Sequence, residues 1–95
     1  MMPERKTVAG DVERTLGNYR YDVAPGATAD FLKTLPEVCR TANRDVLVST
    51  AEQLARVLAN NDGAIQTGRA LAGLRRISGW LDRLLILCPD EEQAP

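Results

Sequence analysis

Few side chains in this sequence are of a type that does chemistry, and their spacing narrows the choice further. The chain contains no histidine, which removes the commonest general base, the commonest metal ligand and every Ser/His or Cys/His nucleophile arrangement. Cys39 and Cys88 lie far apart, neither belongs to a Cys-x-x-Cys pair, and no imidazole exists to complete a zinc shell. They read as buried thiols of a reduced cytoplasm, with a single disulfide between two helices as the alternative. Asp30, Glu37, Asp45 and Glu52 recur every seven or eight positions, the signature of a solvated helical stripe rather than of the facing carboxylates that acid/base hydrolysis needs. No Gly-rich loop opens a helix after a strand to cradle phosphate. The sequence therefore predicts a protein that is not an enzyme, with no catalytic residue, no cofactor, no metal and no small-molecule substrate.

What remains is recognition. Trp80, Leu81, Leu84, Leu85, Ile86, Leu87 and Cys88 point in every direction of a helix, so this stretch needs cover from the chain itself or from a partner. Trp80, Leu81, Leu84 and Leu87 are the residues expected to bind that partner, with Trp80 a typical interface anchor. The competing reading makes them ordinary core of a three-helix monomer, because so small a domain needs every large apolar group it has.

The second set of candidates is cationic. Between Gln53 and Leu87 five arginines, Arg56, Arg69, Arg75, Arg76 and Arg83, stand against Asp62 and Asp82. Residues 50–76 resemble the helix-turn-helix of bacterial transcriptional regulators, with Leu54, Ala55 and Leu58 on a first helix and Ile65 and Leu71 on a second. The resemblance implies that Arg69, Arg75 and Arg76 reach a DNA duplex. It covers about a quarter of the chain, and two positions depart from it: Asn60 stands where the turn usually carries an apolar residue, and Gly68 where the second helix usually does.

The elements that must position these residues are mostly helical. Residues 1–18 mix charge with Gly10 and Gly17, while Val8, Val12 and Leu16 recur every four positions without a strong stripe, so a flexible N-terminal arm is expected, with a short helix between Asp11 and Leu16 as the alternative. Tyr19 to Val23 alternate apolar and charged side chains, the period of a short strand, offering an edge that could dock on a partner. Ala24-Pro25-Gly26 breaks the chain. Thr28 and Asp30 then offer capping oxygens for a helix that ends near Thr34 or kinks at Pro36, and Thr34 is equally placed to cap a new helix with Pro36 in its tolerated first turn. From Glu37 to Asn61 there is neither Gly nor Pro, and the apolar positions advance by three and four, which predicts one long helix with a soft spot near Ser49, or two helices if Ser49-Thr50-Ala51-Glu52 acts as a capping box that opens the second. Asn60-Asn61-Asp62-Gly63 stops it. A last helix is expected from Ala64 to Cys88, ended by Pro89, with residues 89–95 as a disordered acidic tail.

Two small-residue ladders, Ala51/Ala55/Ala59 and Ala64/Gly68/Ala72, flank the stop signal. Four-residue spacing predicts a close seam where the last helix folds back on the one before it. The fold class expected is all-α, a small antiparallel helical hairpin or three-helix bundle over residues 19–88.

Composition agrees with one such domain. The chain has 95 residues, 44% apolar and 26% charged, with aromatics only 4%, so its core must be aliphatic. Twelve Lys plus Arg balance thirteen Asp plus Glu, a net charge of -1, which disfavours nucleic-acid binding by charge alone. The charged start does not read as a secretory signal, and no apolar run approaches the roughly 20 residues that span a bilayer, so a cytoplasmic protein without a membrane partner is expected. The general arrangement looks like that of small regulatory or accessory proteins of bacteria. The sequence thus points to a regulatory or adaptor protein that forms a homodimer or sequesters a protein partner through its last helix, the alternative being the helix-turn-helix DNA binder.

Overall fold

The computed structural model describes residues 3–60 and 63–87. Within them the chain is an all-α bundle of five helices: α1 (Pro3–Asn18), α2 (Ala27–Lys33), α3 (Leu35–Thr41), α4 (Arg44–Asn60) and α5 (Gly68–Leu87), with a single 3-10 turn at Arg20–Asp22 between α1 and α2. The expected turn residues Asn61 and Asp62, together with Cys88 and the tail 89–95, lie outside the described residues.

Residues 3–18 are a helix, not the flexible arm expected from sequence. Pro3 opens it at a position where its missing N–H costs nothing, and Glu4 in the first turn complements the helix dipole. Val8, Ala9, Val12 and Thr15 form its buried face, at the spacing of successive helical turns, and Thr15 returns its hydroxyl to the Asp11 carbonyl at 2.8 Å. Glycines 10 and 17 weaken α1 as an isolated helix, so its order comes from packing on α3 and α5.

Tyr19 to Val23 is not a strand either. Its middle is the 3-10 turn, and only Val23 makes a bridge, antiparallel to Ile65. The flanking bonds run from the Ala24 N–H to the Ala64 carbonyl at 2.6 Å and from the Gln66 N–H to the Asp22 carbonyl at 2.7 Å. This pairing also explains why α5 begins at Gly68 rather than Ala64. Ile65, buried at 6% exposure, is held extended against Val23, and Thr67 then caps the helix by accepting the Ala70 N–H at 3.1 Å.

The stretch 37–61, which the sequence allows as one helix or two, is two. Thr34 precedes α3, whose second residue is Pro36, as the sequence allowed. The break falls at Ala42 and Asn43 instead of Ser49: Ala42 is extended, and the Asn43 side chain accepts the Val46 N–H at 3.0 Å as the cap of α4. Gly26 at the head of α2 has φ +130, backbone that residues with a Cβ rarely adopt, which accounts for the glycine after Pro25.

Helices α4 and α5 lie antiparallel. Residues 61–67 join one pair of ends, and at the other pair the Arg44 guanidinium donates to the Leu85 carbonyl at 2.9 Å. The contact is not the expected small-residue seam. Ala55, Ala59, Gly68 and Ala72 face solvent, and Ala51 and Ala64 are only half-buried. Residues four apart advance 400°, so each ladder rotates about 40° per step off a fixed seam. The buried faces are instead Leu47, Thr50 and Leu54 of α4 and Ala70, Gly73, Leu74, Ile77, Leu81 and Leu84 of α5. These join Val12, Leu35 and Cys39 in one aliphatic core.

The close approach that does require a glycine is at Gly73. A Cβ there would stand 2.4 Å from Cε2 of Tyr19 and 3.2 Å from the Thr15 methyl. The Tyr19 ring lies on this bare backbone, and the Arg69 guanidinium, one turn earlier on α5, sits 5.7 Å from the ring centroid. Gly79, by contrast, is exposed, and a Cβ added there would meet nothing within 4 Å. In urea denaturation, Gly73→Ala is expected to destabilise the protein by about 1 to 3 kcal/mol through overpacking, and Gly79→Ala to stabilise it by up to about 1 kcal/mol through helix propensity.

Candidate functional site

Leu81 and Leu84 are fully enclosed in the chain's own core, so neither offers a surface to a partner. This corrects the expectation that they bind one. The end of α5 is covered by the N-terminal helix that the sequence did not reveal, which supplies Val8, Ala9 and Val12 to the same core. Trp80 and Leu87 remain half-buried, and Ile86 is 80% exposed.

Trp80 packs one side against the core and turns the other to an open cleft between α1 and α5 of about 410 Å³. Glu4, Thr7, Val8 and Asp11 of α1 and Arg83 of α5 complete its lining. The α1 residues stand at i, i+3, i+4 and i+7, one face of a helix, and Trp80 and Arg83 are three apart on α5, so two regular elements fix the site. Val8 forms an apolar floor, Glu4 and Asp11 bring negative charge from one wall, and Arg83 brings positive charge from the other. Asp11 is also paired with Arg14. The cleft thus combines an apolar floor with a charged rim. Trp80 was among the residues singled out from the sequence and the α1 wall beside it was not, although Pro3-Glu4 as a helix start and the Val8, Val12 and Leu16 recurrence were visible signals.

The arginines of the DNA-binding alternative are all exposed on α5. Arg69 lies against Tyr19, and Arg75 and Arg76 stand on the outer face with Ala72 and Gly79. The two helices are not arranged as a helix-turn-helix, in which a turn of about three or four residues sets the helices at a steep angle. Here the connection runs through residues 61–67 and includes the Ile65 bridge, and α4 and α5 lie side by side to their far ends. The acidic residues Asp30, Glu37, Asp45 and Glu52 are exposed, as expected, but they are distributed over α2, α3 and α4 rather than along one helix.

Cys39 is a free thiol with no solvent exposure, on the inner face of α3. Burial raises its pKa to about 11, against the opposing pull of the Arg5 and Arg40 charges. At that value about one thiol in a thousand is ionised at pH 8, so the reactive thiolate form is scarce. Among the described residues no three His, Cys, Asp or Glu side chains are grouped to hold a metal ion, and no helix is long and apolar enough to cross a membrane. No protein-family model, curated protein or solved structure matches this chain.

The burial of Cys39 has a direct readout. In a Cys88→Ser background, Ellman's reagent at pH 8 is expected to leave Cys39 unmodified in the native protein and to titrate it fully once guanidinium unfolds the chain. Immediate reaction of the native thiol would contradict the placement of α3.

Proposed function

We propose that this chain is a small, non-catalytic regulatory or adaptor protein that captures a protein partner in the α1–α5 cleft, with Trp80 as the anchor. The reading rests on one observation above all: the only tryptophan of the chain is held by the core on one side and left on an open, charged-rimmed cleft on the other. Tryptophan in that setting loses little conformational freedom on binding and brings a large apolar area, which is why such residues dominate interface energetics. Glu4 and Asp11 on one wall favour a partner segment that carries a cation beside its apolar group. A second copy of the chain or a different protein would satisfy the same surface. A cytoplasmic setting suits the free, buried Cys39 thiol. Leu81 and Leu84 act indirectly, by holding α5 in place.

A pull-down from native host cells with the immobilised full-length protein, read by mass spectrometry and repeated after nuclease treatment, tests this reading. A protein partner, or a dimer mass by light scattering, is expected with the wild type. Trp80→Ala is expected to weaken the complex by at least about 2 kcal/mol while the circular dichroism stays helical. Leu84→Glu, in contrast, is expected to unfold the chain, since it places a carboxylate at a fully buried site. Capture that survives Trp80→Ala, or that disappears with nuclease, contradicts the proposal.

A further inference from the structure

A second concavity opens at the other end of α1, away from the Trp80 cleft. Leu16, Val23, Ala29 and Leu32 line an apolar notch of about 90 Å³, with Arg20 and Lys33 completing its lining. The notch shares Arg20, Val23, Ala29 and Lys33 with a wider, open trough of about 460 Å³, completed by Tyr21, Pro25 and Gln66. Among the described residues, no aspartate or glutamate lines either space. Arg20 and Lys33 make no ion pair with any described residue, and Arg20 instead lies 4.6 Å from the ring centroid of Tyr21, which is 79% exposed.

Two cations around an apolar notch define the occupant by complementarity: an aliphatic group with carboxylates beside it. The trough is open along its length, whereas small-molecule sites bury roughly 70 to 90% of their ligand. An open trough with an apolar notch in it fits a chain lying across it with a single side chain inserted. The wall is also set in advance, because the Val23–Ile65 bridge ties residues 22–24 to residues 64–66, so little ordering is left to occur on binding. We propose that this groove binds an extended acidic peptide segment of a partner protein, seating one aliphatic side chain between Leu16, Ala29 and Leu32 and placing the flanking carboxylates on Arg20 and Lys33. The site is independent of the Trp80 cleft and opposite to it in charge.

Fluorescence anisotropy of a fluorescein-labelled Ser-Glu-Glu-Leu-Glu-Glu-Ser peptide with the full-length protein tests the proposal. Saturable binding below about 1 mM is expected, weakened about tenfold or more by the double variant Arg20→Glu/Lys33→Glu and by Ala29→Leu, which fills the notch. Replacing the peptide leucine by serine is expected to lose a similar factor, and Trp80→Ala to change nothing. Circular dichroism melts confirm that each variant remains folded, and because the charge reversal and the notch-filling change act through different groups, the loss of either variant's fold leaves the other to decide. Absence of saturable binding overturns the proposal, as does equal affinity in folded variants, equal affinity for the leucine-free peptide, or displacement of the peptide by a DNA duplex at lower concentration.

Discussion

The carbonyls of Val38, Cys39 and Ala42 at the end of α3 all receive the side chain of Arg5, whose Nε donates to Cys39 at 2.7 Å and whose Nη2 donates to Ala42 at 2.6 Å and Val38 at 3.2 Å. The last carbonyls of a helix lack partners within it; the Arg5 guanidinium supplies one to Cys39, adds a second bond to Val38, which also accepts the Ala42 N–H, and meets the negative end of the helix dipole. Hydrogen bonds from a charged donor contribute about 1.5 to 3 kcal/mol each when well made. That matters here because α3 has only seven residues, too few to persist alone. The same contact joins the first helix to the middle of the chain, and with it come Val8, Ala9 and Val12, which close the core over α3 and α5. Arg44 repeats the device at the end of α5. The bundle is thus tied at two helix C-termini by arginines from other helices.

The parts of this fold legible in the sequence are those specified by neighbours in the chain. Pro25-Gly26 ends one segment, Thr34 with Pro36 divides α2 from α3, and the apolar stripe of Ile77, Leu81 and Leu84 marks the inner face of α5. The parts that were not legible depend on residues far away. The end of α3 at Thr41 carries no Gly or Pro; it is held by Arg5, and only Asn43 gave a local sign of the new helix. Ile65 looks like a helix residue by periodicity, and pairing with Val23 takes it out of the helix. The small-residue ladders were the most misleading pattern, since burying Leu47, Leu54, Leu74 and Leu81 removes far more apolar area from water than burying alanine and glycine would. Close approach occurs once, at Gly73, and its partner is Tyr19 rather than another helix's alanine.

The same long-range dependence decides what the surface can do. With α1 read as an arm, the end of α5 looks bare and four of its residues look available. With α1 in place, Leu81 and Leu84 are interior, and Trp80 opens onto a cleft whose lining comes mostly from α1. Among the concave surfaces of the described residues, one places Glu4 and Asp11 beside Trp80 and another places Arg20 and Lys33 beside Val23. Recognition in both proposals comes from the charge on the rims and the apolar floor between them.

All of this depends on residues 3–18 being part of the folded bundle. Native-state hydrogen exchange, read residue by residue on the full-length protein, measures that directly. The amides from Val8 to Leu16 should exchange in the same slow class as those from Leu74 to Leu84, opening only when the whole bundle unfolds. Exchange of the Val8 to Leu16 amides at the rate of an unstructured chain, while Leu74 to Leu84 stay protected, would contradict the account.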